Sequence, residues 1–256
     1  MLGETALLQA WESGEGQPSV EQALAILRHG YPERSLGQLL SLSIGERDAL
    51  LFDLREQSFG SLLRGSARCP SCHEQSLFSV SLSDLRVSPP AQVREQTLSL
   101  TSSEQTLSLT SGDLTLRFRL PICHDLRQAA TCPDVESARQ SLIRACVVGL
   151  CQAGVSVPLD RFLQLPAQLE QQLATAIGQH DPQGEVLLSL RCAHCGHAWP
   201  SLFDIASFLW SELSTRARRL LSEVDLLARA YGWSEADILK LSSVRRSRYL
   251  ELASHE

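Results

Sequence analysis

The fold of this chain depends on two short segments, Cys69-Pro70-Ser71-Cys72 and Cys192-Ala193-His194-Cys195-Gly196. In each segment two cysteines stand three positions apart, on a turn whose backbone N–H groups point at the sulfur atoms. Each pair of thiolates supplies half of a tetrahedron, so the two pairs together can enclose one metal ion. The spacing therefore predicts a zinc ribbon, in which Cys69, Cys72, Cys192 and Cys195 bind one structural Zn²⁺ per chain and leave no open position for catalysis.

An arginine precedes each cysteine pair, Arg68 before the first and Arg191 before the second. A zinc ion held by four thiolates carries a net negative charge, which a nearby guanidinium group can offset. We therefore interpret Arg68 and Arg191 as residues that support the ligands without binding the metal. Residues 73–191 then form an insertion between the two hairpins of the ribbon.

Other interpretations of the cysteines fit the sequence less well. A thioredoxin-like redox pair needs a single Cys-x-x-C motif in a βαβ setting, and a zinc deaminase needs a His-x-Glu motif upstream of its Cys-x-x-C. The nearest match, His73-Glu74, has the wrong spacing and follows a cysteine pair of its own. The spacing of the remaining cysteines matches no common ligand pattern, so we interpret them as buried core residues rather than a second metal site. These are Cys123, Cys132, Cys146 and Cys151.

Composition indicates a globular protein that acts in the cytoplasm. Apolar residues make up 43% of the chain and charged residues 20%, enough to bury one large core or two small ones. The net charge is −6 and Lys240 is the single lysine, so no excess of positive charge indicates a nucleic-acid or membrane surface. Residues 1–9 lack the regions of a signal peptide, and no stretch approaches the roughly 18 apolar residues of a membrane span.

Apolar periodicity predicts an α+β fold in three segments. Residues 1–60 form an N-terminal helical segment. Residues 61–200 form the zinc-ribbon region with inserted strands and helices, and within it residues 85–112 are predicted to be a low-complexity repeat loop. Residues 201–256 form a long C-terminal helix followed by a small helical hairpin.

Sequence signals place the elements within these segments. Ser43 and Glu46 form a capping box for a helix that ends near Gln57. Alternation and turn residues predict strands over residues 61–68, 77–82, 114–120 and 185–191, and apolar periodicity predicts helices over 134–151 and 166–177.

An octapeptide, Glu-Gln-Thr-Leu-Ser-Leu-Thr-Ser, occurs twice, at residues 95–102 and 104–111. Its alternation suits a strand pair, whereas its Ser and Thr content suits an exposed loop that tolerates insertion. We favour a loop or an edge hairpin for this region.

The last quarter of the chain is predicted to be helical. Ser201 and Asp204 resemble a capping box, and the apolar stripe that follows predicts a helix of about 30 residues ending at Gly232. Ser234 and Ser242 are the predicted caps of two short helices after this break.

The sequence favours a protein that is not an enzyme and has no small-molecule substrate. It contains no Gly-rich phosphate loop and no G-x-S-x-G elbow. The two short C-terminal helices, with Arg245, Arg246 and Arg248, invite a DNA-binding interpretation. Basic and acidic residues are equally numerous over residues 201–256, however, so this segment lacks the positive charge that phosphate binding needs. A zinc-ribbon nucleic-acid-binding regulator stays an alternative function, and a metalloenzyme of unrecognised type is a third.

Several stretches together resemble one known family. They are LREQSFG at residues 54–60, FRLP at 118–121, CAHCGHAW at 192–199, FDIASFLW at 203–210, EVDLLA at 223–228 and YGWSEADIL at 231–239, with Arg245-Arg246 and Tyr249-Leu250 after them. In these the chain resembles the T-even-phage-type baseplate hub assembly chaperones of contractile-tailed phages and phage-tail-like contractile injection systems. The duplicated octapeptide is not part of the family pattern, and His73 stands where a glycine would be usual.

The resemblance implies a non-enzymatic assembly factor or a minor component of the baseplate hub. It also implies hub or spike proteins as partners and a location in the cytoplasm or in the baseplate of the particle. Large aromatic residues often anchor protein interfaces. The candidates here are Trp210, Tyr231, Trp233 and Tyr249, for which packing of the long helix is the alternative role.

Overall fold

The computed structural model of the chain describes residues 2–87, 106–158 and 165–253. Its helices are α1 (Glu4–Gly14), α2 (Ser19–Gly30), α3 (Leu36–Leu40), α4 (Ile44–Phe59), α5 (Leu82–Leu85), α6 (Cys123–Ala129), α7 (Val135–Cys146), α8 (Ala167–His180), α9 (Ile205–Tyr231), α10 (Glu235–Lys240) and α11 (Ser243–Ala253). Its strands are β1 (Leu62–Arg68), β2 (Gln75–Ser81), β3 (Leu107–Ser111), β4 (Leu114–Phe118), β5 (Val147–Gln152), β6 (Val155–Val157), β7 (Val186–Arg191) and β8 (Ala198–Phe203). Helices combined with small antiparallel sheets confirm the α+β class. None of these helices has both the length and the apolar character that a membrane crossing requires.

The chain divides into two compact units. The terminal unit consists of Met1–Pro32 together with Ala206–Glu256, and the central unit consists of Glu33–Ile205. Every strand of the described residues belongs to the central unit, which also holds both cysteine pairs.

Side-chain hydrogen bonds stabilise both ends of helix α4. Its predicted capping box is present, because the Glu46 N–H donates to the Ser43 hydroxyl at 3.2 Å and the Ser43 N–H donates to the Glu46 carboxylate at 2.8 Å. At the other end, buried Arg55 donates to the carbonyl oxygen of Gly60 and, at 2.9 Å, to that of Leu62. This arginine fixes the turn through which α4 leads into β1.

A four-stranded sheet forms one core of the central unit. Its strands are antiparallel in the order β3-β4-β5-β6. Alternate side chains of the sheet face α8, so that Leu116, Phe118 and Leu150 pack with Leu169 and Leu173 of that helix. Strand β4 confirms the strand predicted over residues 114–120.

The helix predicted over residues 134–151 is wrong at its C-terminal end. Helix α7 ends at Cys146, and residues 147–152 form strand β5. Val147 and Val148 are β-branched and Gly149 is a poor helix former, so this stretch favours a strand. Pairing with β4 then places Leu150 in the core.

The second octapeptide copy contains strand β3 at the edge of the sheet. It pairs with β4 from Leu107 opposite Phe118 to Ser111 opposite Leu114. Its alternation places Leu107 and Leu109 on the same face, where both pack against the core. Residues 107–111 therefore take the edge-hairpin form predicted for the octapeptide, and not the loop predicted over residues 85–112. The first copy, residues 95–102, lies outside the described residues.

The long C-terminal helix begins later than the sequence suggests. Ser201 pairs with Leu188 within the β7–β8 ladder, so it is a strand residue and does not cap the helix. Helix α9 begins at Ile205 and has 27 residues, close to the predicted length. Ser234 and Ser242 accept hydrogen bonds from backbone N–H groups at the starts of α10 and α11, which confirms both predicted caps.

The terminal unit contains a buried ion-pair network. Arg246 of α11 is 1% exposed. Its guanidinium donates through two nitrogens to Glu4 of α1, and its Nε donates to Glu223 of α9 at 2.7 Å. A planar guanidinium can satisfy two carboxylates in this way. The network therefore links the first helix of the described chain to the last.

Helix α4 and the chain after α8 make a close contact at Gly45. The Gly45 N–H donates to the Asp181 carboxylate at 2.8 Å. A Cβ atom at position 45 would collide with this carboxylate and lie 3.1 Å from the Gly184 nitrogen. Gly178 within α8 is different, because an added Cβ there would meet only Glu185 Oε2, at 4.0 Å.

We expect Gly45→Ala to lower the free energy of unfolding by about 1–3 kcal/mol, since the new methyl group overpacks the contact with Asp181. Gly178→Ala is the matched control and should raise the free energy of unfolding by up to about 1 kcal/mol, because alanine is the better helix former. Urea unfolding of both variants measures the difference. Equal stability of the two variants would contradict the close approach at Gly45.

Candidate metal centre

Two hairpins carry the four cysteines at their ends. The last paired residues are Arg68 with Gln75 in β1–β2 and Arg191 with Ala198 in β7–β8. Each cysteine pair lies in the turn directly after these positions, so strand register fixes where the thiols point. The two strands predicted around the first cysteine pair are confirmed.

Both turns have the same backbone geometry. The first cysteine donates its N–H to the carbonyl five residues later and accepts a hydrogen bond from the N–H four residues later. In the first turn, the Cys69 N–H donates to the Glu74 carbonyl at 2.9 Å and the His73 N–H donates to the Cys69 carbonyl at 2.9 Å. In the second turn, the Cys192 N–H donates to the His197 carbonyl at 2.8 Å and the Gly196 N–H donates to the Cys192 carbonyl at 3.0 Å. The φ angles of 61° at His73 and 74° at Gly196 are both left-handed. This conformation costs a residue with a Cβ roughly 1–2 kcal/mol, which explains why glycine would be usual where His73 stands.

The four sulfur atoms form a compact cluster. Cys69 Sγ lies 3.7 Å from Cys195 Sγ, and Cys72 Sγ lies 3.6 Å from Cys192 Sγ. All four lie within 4.8 Å of one another. A tetrahedral ion with metal–sulfur bonds of about 2.3 Å places its ligands about 3.8 Å apart, so the cluster has the size of such a site. Each close pair joins one cysteine from each hairpin, and the cluster could therefore hold a metal ion between them.

Burial and charge within the cluster are uneven. Cys69 and Cys192 are buried, whereas Cys195 is exposed. The N–H of Cys195 lowers the pKa of the Cys192 thiol to about 6. The N–H of Glu74 lowers the pKa of Cys72, but partial loss of solvent and the other three thiols together outweigh it and raise this pKa to about 12. The contact between the two thiols contributes to both shifts, because it lowers the pKa of Cys192 and raises that of Cys72, and a cation among the sulfurs would favour the thiolate form of all four.

Arg68 and Arg191 are exposed at the ends of β1 and β7. The Nε of Arg191 donates to the Gly196 carbonyl at 3.3 Å, so this arginine supports the backbone of the second turn. Arg68 lies opposite Gln75 at the base of the first turn. Their predicted role in offsetting the charge of a metal site stays a prediction.

The other cysteines do not join the cluster. Cys123 and Cys146 are buried, and burial raises the pKa of their thiols to about 11 and about 12. Cys132 and Cys151 are half-buried. Two of these four residues thus match the predicted buried core role, and the other two do so only in part.

Three of the four predicted partner-binding aromatic residues lie together. The ring centroids of Tyr231 and Trp233 are 4.7 Å apart, and Trp233 meets Tyr249 edge-on at 4.8 Å. All three rings are half-buried beside a small apolar core of the terminal unit. We call Tyr231, Trp233 and Tyr249 the aromatic cluster. Trp210 lies elsewhere on α9, against Gly14 of α1.

The family match decides the class of protein. Residues 3–210 match the model of a family described as T4 bacteriophage base plate protein. The chain belongs to this family. The baseplate resemblance noted in the sequence is thereby confirmed, and membership implies other baseplate proteins as partners. A family of baseplate proteins also agrees with a role other than catalysis.

The family match covers the cysteine cluster and ends before the aromatic cluster. Comparison with curated proteins and with solved structures finds no match.

Sequence reasoning did not identify the partners of three arginines that hold the fold. Arg55 binds two carbonyl groups, and Arg246 joins Glu4 to Glu223, as described above. Arg119 donates to both carboxylate oxygens of Asp125, at 2.6 and 2.9 Å. All three lie within the stretches that carry the family resemblance. An arginine between apolar neighbours, Phe118-Arg119-Leu120, is a sequence signal that could have found Arg119; Arg55 and Arg246 have no such flanking pattern.

Proposed function

We propose that this protein is a non-enzymatic assembly factor or minor component of the baseplate hub in a contractile phage tail or a phage-tail-like injection system. The observation that carries the proposal is the match of residues 3–210 to the baseplate family. The proposed partners are hub or spike proteins. The proposed location is the cytoplasm during assembly, with incorporation into the baseplate of the particle.

The proposal includes one structural zinc ion in a ribbon formed by β1–β2 and β7–β8. Four thiols at the spacing of a tetrahedron support this ion, since zinc favours four thiolate ligands in structural sites. Cys69, Cys72, Cys192 and Cys195 would hold the metal and use every coordination position. Such a site joins two hairpins and performs no chemistry on a substrate.

We expect the purified protein to contain one zinc ion per chain, and Cys69→Ser to lose it. The variant should unfold with a free energy lower by at least about 3 kcal/mol, because structural zinc contributes roughly 10–16 kcal/mol of apparent binding free energy in zinc fingers. Elemental analysis and urea unfolding measure the two quantities. Cys132→Ser is the matched control, because this cysteine lies outside the cluster, and it should keep its zinc. A protein that stays equally stable without zinc would contradict the ribbon.

The aromatic cluster supports a partner surface in the terminal unit. Its three rings are half-buried rather than buried, so part of each ring faces solvent. Leu226 and Leu252 in the same unit are 56% and 60% exposed, which adds apolar surface. Aromatic anchors of this kind contribute most of the energy of many protein interfaces. The arginines of this segment support protein binding rather than nucleic-acid binding, since several of them pair with carboxylates of the same unit.

We expect Trp233→Ala to weaken the complex with hub or spike proteins by at least about 2 kcal/mol, as for an interface hot spot. Co-purification from the producing strain, with particle counts by electron microscopy, measures the loss. A point variant is preferable to truncation after Leu227, because truncation also removes Arg246 and leaves the Glu4 and Glu223 carboxylates without it.

The control for this experiment is Arg218→Ala, an exposed change on α9 more than three turns before Tyr231 of the cluster. Melting curves of both variants separate a lost contact from a lost fold. Normal particles from the Trp233→Ala strain would exclude the aromatic cluster as the partner surface. Co-purification of DNA without any baseplate protein would favour the zinc-ribbon regulator instead.

A further inference from the structure

A groove of about 500 Å³ runs between α7 and α8 in the central unit. From α7 it is lined by Arg139, Leu142, Ile143 and Cys146, whose spacing places them on one face of the helix. From α8 it is lined at positions between 167 and 178, which corresponds to about 16 Å of helix at 1.5 Å per residue. Ala174 on this edge is exposed, so the groove opens to solvent.

Most residues that line the groove are apolar, and its two half-buried carboxylates are already bonded. Cys146 is 2% exposed, and burial raises the pKa of its thiol to about 12. The Glu170 carboxylate pairs with Arg139 at 2.6 Å, and the Asp181 carboxylate accepts the Gly45 N–H. Small-molecule sites depend on a few polar groups that are free to fix the ligand. This groove instead suits apolar side chains.

The rim of the groove is acidic. Glu170, Asp181 and Glu185 line it, and Arg139 is the one basic side chain among the residues that line it. Arg139 is also held by Glu136 at 2.8 Å, so its charge is shared between two carboxylates. Glu185 is exposed and forms no ion pair within the described part of the chain. An occupant with positive charge beside its apolar side chains is therefore favoured.

We propose that the groove between α7 and α8 binds an amphipathic helix of another baseplate protein, with apolar anchors in the groove and a lysine or arginine against Glu185. The length of the groove suits anchors one turn apart, the pattern of helix-in-groove recognition. The inference rests on the proposed function, because that function supplies the class of partner. It adds a binding surface in the central unit that is separate from the aromatic cluster.

Two variants test the groove in the full-length, zinc-loaded protein. Gly178→Leu adds a bulky apolar side chain at a residue that lines the groove, where the new Cβ would meet only Glu185 Oε2 at 4.0 Å. Glu185→Arg reverses the charge of one residue on the rim of the groove. Each should reduce co-purification of one and the same baseplate protein by at least about tenfold, the loss typical of a removed anchor or a reversed charge pair. Gln179→Leu and Gln179→Arg are the matched controls on an exposed position of α8 outside the groove, and none of the four variants should melt at a lower temperature than the wild type.

Photo-cross-linking identifies the occupant. Benzoylphenylalanine at Ala174 should attach to an apolar segment that carries Lys or Arg, and the same group at Gln179 should not. Retention of every baseplate protein by both groove variants overturns this inference and leaves the proposed function standing. A loss with Gly178→Leu but not with Glu185→Arg, or a cross-link to an acidic segment, overturns the basic helix as occupant. Absence of baseplate proteins from the wild-type sample overturns the proposed function and this inference together.

Discussion

Four sulfur atoms from two hairpins meet in the central unit, and on our proposal the rest of that unit depends on this contact. Two of its sulfur–sulfur contacts join cysteines 126 and 120 positions apart in the chain. A two-stranded hairpin is marginally stable alone in water, so β1–β2 and β7–β8 both need a partner. On our proposal metal–sulfur bonds supply that stability and hold the two ends of the insertion together. The sheet of β3 to β6, α7 and α8 then fold between these ends, and the groove lies within this insertion.

Arginine has a structural role throughout this chain. Arg55, Arg119 and Arg246 each satisfy two or more acceptors, which a lysine ammonium cannot do with the same planar geometry. This use is consistent with a chain that contains a single lysine among 23 basic residues. Guanidinium groups that are bonded inside the fold are not available at the surface to bind phosphate groups. The two surfaces that we propose for partners, the aromatic cluster and the acidic groove, both suit proteins.

The sequence predicted the features that depend on neighbouring residues, such as turns and helix caps. The Cys-x-x-C spacing identified the four cysteines that meet, and the capping signals at Ser43, Ser234 and Ser242 located three helix starts. It failed where pairing with a distant strand decided the outcome. Ser201 carries a capping signal but lies in β8, and residues 147–151 continue a helical pattern but pair with β4. The groove between α7 and α8 was also beyond prediction, because it depends on how two helices are spaced after packing.

X-ray absorption at the zinc edge of the purified protein tests the central claim most directly. The account predicts a zinc ion surrounded by four sulfur atoms at about 2.3 Å, with no nitrogen or oxygen ligand. Such a spectrum would show that both hairpins bind the same ion, because each of them contributes only two thiols. A coordination shell that contains water, histidine nitrogen or fewer than four sulfurs would contradict the closed structural site on which this account rests.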